Sequence, residues 1–153
     1  MQSQINDTIF AQATAPGRSG VAVIRISGHA ALDACRQFGF TKTPSPRYAY
    51  YHRFKLSGKF IDDGLVLYFP APHSFTGEDV VEFQLHGGVA IMNATLEALS
   101  TLPYLRPAKA GEFAQRAFLN GKMDLVEAEG LVDLINAQTQ KQHERASQLM
   151  RGR

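Results

Sequence analysis

Residues 74–88, Ser-Phe-Thr-Gly-Glu-Asp-Val-Val-Glu-Phe-Gln-Leu-His-Gly-Gly, constrain the fold more than any other stretch of the chain. From Val80 the pattern alternates: Val81, Phe83 and Leu85 fall on one face, and Glu82, Gln84 and His86 on the other. A period of two is that of a strand, not of a helix. Gly77, following polar residues and Pro72, opens the strand from a turn, and Gly87-Gly88 closes it at a corner before a helical pattern. A strand of this kind belongs in a sheet with one covered and one polar face. The polar face either floors a site for a polar ligand or simply meets water, and the alternation alone favours the second.

The flanking segments supply the rest of such a sheet. A short strand is predicted from Asp7 to Thr14, ended by Pro16-Gly17, and an interior strand from Val21 to Gly28. Arg25 interrupts the latter, and a charge there requires a partner or a water-facing edge. His29 to Phe38 has helical spacing, residues 41–46 form a Pro/Ser/Thr/Lys linker, and Arg47–Leu56 and Phe60–Phe69 form a hairpin about Ser57-Gly58-Lys59. Tyr48, Tyr50 and Tyr51 with Arg53 and Lys55 offer either a base-stacking strip or the core and rim of that hairpin, the pattern favouring the hairpin. A helix is predicted over Val89–Leu102, stopped by Pro103, then a connector over 105–111 and a short helix over Glu112–Asn120.

Asp124 opens a long helix whose apolar stripe runs through Leu125, Ala128, Val132 and Ile135, then fades and resumes weakly at Ala146, Leu149 and Met150. One helix cannot bury such a stripe alone, so the sequence is expected to be truncated or to depend on another chain. The predicted class is α+β: a mixed sheet of about five strands with packed helices over residues 1–120, followed over 121–153 by the start of a helical domain.

Composition narrows the function classes. A net charge of +2 is too weak to argue for nucleic-acid binding, and the basic residues are spread along the chain. The lone Cys35 excludes an internal disulfide and suits a reducing, cytoplasmic compartment, and no apolar run reaches membrane-spanning length. The sequence contains no P-loop, dinucleotide fingerprint, H-E-x-x-H or G-x-S-x-G motif. What remains is a set of isolated polar residues at interior-looking positions: Arg25, Glu82, His86 and Lys122.

Several blocks resemble the amino terminus of the MnmE/TrmE family of tRNA-modification GTPases. They are Asp7-Thr8-Ile9, Ala13 to Val21, Arg25-Ile26-Ser27-Gly28, Ser74 to Asp79, Glu82 with His86-Gly87-Gly88, and Gly111 to Leu125. The resemblance implies a fold like the folate domain of aminomethyltransferases, binding a tetrahydrofolate derivative (5-formyl or 5,10-methylene) and forming a homodimer. It implies work with a flavin-dependent MnmG/GidA-type subunit to place a (carboxymethyl)aminomethyl group on C5 of the wobble uridine of tRNA. GTP, magnesium and potassium would belong to a GTPase domain outside this sequence. The folate-contacting positions carry over to Arg25, Glu82 and Lys122, with Glu82 as acceptor for the pterin edge; His86 and Gln84 receive no role. A stand-alone one-carbon transferase and a ligand-free dimerisation domain are the competing readings.

Overall fold

The computed structural model describes residues 7–13 and 20–131, with 133, 134, 137, 140, 141 and 144 from the helix beyond. Its strands are β1 (Thr8–Gln12), β2 (Ala22–Ser27), β3 (Tyr50–Leu56), β4 (Lys59–Phe69), β5 (Val80–Leu85) and β6 (Leu105–Pro107). Its helices are α1 (Ala31–Gln37), α2 (Gly88–Ser100) and α3 (Glu112–Leu119). The strands form one sheet in the order β3-β4-β5-β2-β1-β6. It is mixed, because β1 and β6 run parallel while every other pair is antiparallel. The α+β class is therefore as the sequence predicts.

The alternation in β5 sets the two faces. Val81, Phe83 and Leu85 join Ile24 and Ile26 of β2, Phe10 of β1 and Val66 of β4 in the buried core. Ala31, Ala34 and Cys35 of α1, with Met92 and Leu99 of α2, complete it. Phe83 meets Phe38 and Phe54 edge-on, with ring centroids 5.4 and 4.9 Å away, the arrangement aromatic quadrupoles prefer. Both long crossovers thus pack on one face. The other face carries Val23, Arg25, Leu65, Leu67, Phe69, Glu82 and Gln84, all only half-buried.

Three boundaries differ from expectation. The 105–111 connector contains a sixth strand: Thr8 N–H bonds Tyr104 O at 3.1 Å and Ala108 N–H bonds Phe10 O at 2.9 Å, clamping β6 to the β1 edge. Pro107 is tolerated there because an edge strand needs no ladder donor on its outer side. Strand β3 begins at Tyr50 rather than Arg47, since Arg47 has φ 60° and gives its N–H to Tyr68 O. Helix α1 begins at Ala31 instead of His29, after a turn through Gly28 at φ 137°.

The helix predicted from Asp124 is present over 125–131, opened by a reciprocal capping box. Glu127 N–H bonds Asp124 Oδ1 at 2.8 Å while Asp124 N–H reaches Glu127 Oε1 at 3.4 Å. Its expected stripe positions Val132, Ile135, Ala146, Leu149 and Met150 lie outside the described residues, as does the Pro16-Gly17 turn.

Burial fixes the state of the single thiol. Desolvation pushes the Cys35 pKa up to about 12, against a smaller opposing pull from Arg36. The folded chain is expected to resist a thiol-specific disulfide reagent at pH 8 and to react stoichiometrically once unfolded in urea. Rapid labelling in the absence of denaturant would contradict this packing.

Candidate functional site

The register of β2 against β5 sets Arg25 directly opposite Glu82, with Leu67 of β4 and Ala11 of β1 as their outer neighbours. The pair therefore sits mid-sheet on the open face. Arg25 Nη2 and Nε donate to the same oxygen, Glu82 Oε2, at 3.1 and 3.3 Å. Glu82 Oε1 accepts no hydrogen bond among the described residues. The Arg25 guanidinium also lies 5.2 Å from the ring centre of Phe75 and 5.9 Å from that of Phe113, within cation–π range of both. The expectation that Arg25 needs a partner is met by the neighbouring strand.

Phe75 and Phe113 come from two separate elements, held by one chain of charges. Arg106 of β6 binds Asp7 at 3.1 Å and both oxygens of Glu112 at 2.8 and 2.6 Å. Arg116, one turn along α3, joins Glu112 at 3.3 Å to Glu78 at 3.0 Å. Glu78 accepts in turn from Ser27 Oγ at 2.7 Å, so the Ser27 hydroxyl accepts from Thr76 Oγ1, also at 2.7 Å. Asn120 Nδ2 closes the set on Thr76 O at 2.9 Å. This network fastens α3 and the 74–79 loop to the sheet, and with them the two rings about Arg25. Gly77, at φ 82°, takes the left-handed turn of the loop where a Cβ would strike Asn120.

Burial opposes ionisation of Glu112, but hydrogen bonds from Arg106 and the Lys109 N–H, with the charges of Arg106 and Arg116, outweigh it and hold its pKa below the ordinary glutamate value. A lowered folded-state pKa contributes stability that is complete above the unfolded value and is lost as pH falls through the folded one. The urea midpoint is expected to fall as pH drops below the ordinary glutamate range. Glu112→Gln should lower the midpoint at pH 7 and make that acid slope shallower; an unchanged slope would contradict the assignment.

The structure unites Arg25 and Glu82 but leaves Lys122 apart. Lys122 is exposed just beyond α3, its N–H bonded to Ala117 O at 2.8 Å and its stem beside Gly77. Its ammonium makes no ion pair among the described residues. Gln84 stays on the open face next to Glu82. His86 lies past the strand end, where its N–H and that of Gly87 bind Asp62 Oδ2 at 2.8 and 3.0 Å, so it ties the glycine corner to β4. A cleft of about 330 Å³ opens beside the same loop between Gly28, Gly77, Glu78, Arg116 and Asn120; Arg25, Glu82 and Lys122 do not line it. Among the described residues, no group of three His, Cys, Asp or Glu can hold a metal ion.

A family model described as "GTP-binding protein TrmE N-terminus" matches residues 8–122, which take in the whole sheet, both rings about Arg25, and Lys122. The chain belongs to the TrmE amino-terminal family. Among its TrmE relatives is the tRNA modification GTPase MnmE of Yersinia pseudotuberculosis serotype O:1b (strain IP 31758), 52% identical over 136 residues. The MnmE of Yersinia pestis bv. Antiqua (strain Angola) is 52% identical over the same length. In both cases the match covers 88% of this chain and 30% of the relative. This TrmE chain thus spans under a third of the length of the curated relatives it matches. Reasoning from sequence missed Phe75, Phe113, Glu112 and Arg116, although all four stand in the blocks that carry the TrmE resemblance.

Proposed function

We propose that this chain is the tetrahydrofolate-binding and dimerisation module, residues 1–120, of a tRNA-modification GTPase, with residues 121–153 beginning its helical domain. In the complete cytoplasmic protein it supplies the folate one-carbon unit, with a flavin-dependent MnmG/GidA-type partner, for (carboxymethyl)aminomethylation at C5 of wobble uridine. The observation that carries the reading is the mid-sheet Arg25–Glu82 pair, with two phenylalanine rings near the guanidinium and one Glu82 oxygen unengaged.

A pterin presents a flat ring and an amidine-like N–H edge. The unengaged Glu82 oxygen can accept from that edge, and the carboxylate charge makes such a bond roughly twice as strong as a neutral one. Arg25 orients Glu82, and can donate through its remaining N–H groups to a formyl oxygen or a glutamate carboxylate of the ligand. Phe75 and Phe113 give the ring system an apolar wall. Lys122, beside the loop that carries Phe75, attracts the anionic tail as a point charge. The folate supplies the one-carbon group; the side chains bind and orient it.

Binding to the native state alone stabilises by about 2.7 kcal/mol at a ligand concentration one hundred times Kd. A saturating rise in unfolding midpoint with 5-formyltetrahydrofolate, absent with free glutamate, is the expected result. No rise with any reduced folate, from a chain that sediments as a dimer, would favour the ligand-free dimerisation domain.

A further inference from the structure

The β3–β4 hairpin holds a group of side chains that the folate reading leaves unused. Residues 41–63 contain Lys42, Arg47, Arg53, Lys55 and Lys59 against Asp62 and Asp63, a net charge of +3 in a chain of +2. The rest of the sequence is therefore at −1, and the net positive charge that looks dispersed in sequence falls on this hairpin and the segment leading into it. All five cations are exposed. So are three aromatic rings, Tyr48 at 60%, Tyr51 at 72% and Phe60 at 57%. Tyr48 leans on Tyr50 at 4.7 Å between ring centres, and the Arg53 guanidinium lies 5.5 Å from the centre of Phe60 while bound to Asp63 at 3.1 Å. Tyr48 and Phe60 are thus held against neighbours while still largely exposed, and Tyr51 is the most exposed of the three.

We infer that this hairpin edge binds single-stranded nucleic acid, with bases stacking on Tyr51 and on the Phe60–Arg53 pair and the phosphates following Lys55, Lys59, Lys42 and Arg47. Every base has a π-face, so exposed rings interleaved with cations form a platform for unpaired bases. A second copy of the chain is a poor occupant, because it would set +3 against +3. Strand addition along β3 is disfavoured too. That edge carries Arg53 and Lys55 and breaks register between Phe54 and Lys55, devices that protect an edge from pairing. The placement also suits an extended ligand. Tyr51, Leu65, Gln84 and Val23 lie in one row across four strands, so Tyr51 shares the open face with the Arg25–Glu82 pair. Two strand spacings, about 10 Å, separate Tyr51 from Gln84.

The test is fluorescence anisotropy with labelled U12 and dT12 oligonucleotides, titrated with the full chain at several salt concentrations. Saturable binding is expected, with log affinity falling against log salt at a slope of about −3 for four cations engaged by a single strand. Tyr51→Ala should weaken binding about tenfold while Tyr51→Phe, which keeps the ring, leaves it unchanged. Tyr104→Ala, which removes an exposed ring remote from the hairpin, should have no effect. Circular dichroism checks that each variant is folded. Preference for U12 assigns RNA, and equal affinity assigns a platform indifferent to the sugar. No saturable binding of either, a slope near zero, or equal losses from Tyr51→Ala and Tyr104→Ala would overturn the proposal.

Discussion

Replacing Glu82 with alanine is expected to abolish saturable binding of 5-formyltetrahydrofolate while leaving a folded chain. A hydrogen bond to a charged acceptor contributes about 1.5–3 kcal/mol, so losing the bond from the pterin edge weakens affinity by roughly 10- to 100-fold, and the loss of the orienting Arg25 contact adds to it. Glu82 is 17% exposed and its removal leaves the Arg25 guanidinium, 26% exposed, without its carboxylate, so some stability is lost as well and the titration is run where circular dichroism shows the variant folded. Glu82→Gln tests the chemistry more narrowly. It keeps the shape and one acceptor oxygen but removes the charge and presents an NH₂ to a donor edge, so it should also bind poorly. Arg25→Lys gives a different signature, since an ammonium lacks the planar guanidinium that meets Phe75 and Phe113 and cannot give Glu82 the same two donors. Affinity should fall with partial retention. Full affinity in Glu82→Ala, measured calorimetrically, would remove Glu82 from the site.

Arg116→Ala is expected to be the most destabilising single replacement of a polar residue. The Arg116 side chain is 4% exposed and lies between Glu112, 9% exposed, and Glu78, 22% exposed. Removing one partner of a buried ion pair costs about 3–5 kcal/mol; here Glu78 loses its countercharge, while Glu112 keeps Arg106. The same change frees α3 and the 74–79 loop, and with them Phe113 and Phe75, so ligand affinity should fall together with stability. Urea unfolding followed by circular dichroism measures the first effect. A midpoint within experimental scatter of the parent would mean that the network does not hold the helix to the sheet. Arg116→Met is the informative companion: it retains packing volume, so any loss it shares with alanine belongs to the charge.

These two residues mark the boundary of what the sequence made legible. Strict alternation, with Val81, Phe83 and Leu85 inside, put Glu82 and Gln84 on the open face, and the family resemblance singled out Glu82 between them. The need of Arg25 for a partner was likewise evident from its place in an apolar strand, though the register that supplies Glu82 was not. Glu112 and Arg116 were invisible for the opposite reason. An acid and a base at i and i+4 on a short helix match a solvent-facing pair, and only the approach of Arg106 and Glu78 from distant segments makes this one buried. Strand β6 was missed because three residues ending in proline carry no alternation; it exists through its neighbour β1. Lys122 was placed with Arg25 and Glu82 by resemblance alone, and the fold sets it beside the loop rather than on the sheet face.

The hairpin gives a related lesson. Counted along the chain, the cations of β3 and β4 look unremarkable and the tyrosines read as ordinary strand formers. Core formation takes Phe54 and half-buries Tyr50 and His52, leaving Tyr51 and Arg53 on the opposite face by the same period of two. A one-residue difference in position therefore separates core from exposed platform.

The central claim is that the open face around Arg25 and Glu82 receives a reduced folate. It is tested most directly by isothermal calorimetry of 5-formyltetrahydrofolate titrated into this chain at neutral pH. The account predicts a saturable heat with one ligand per chain, lost in Glu82→Ala. The absence of any binding heat from a chain shown to be folded and dimeric by sedimentation would contradict it.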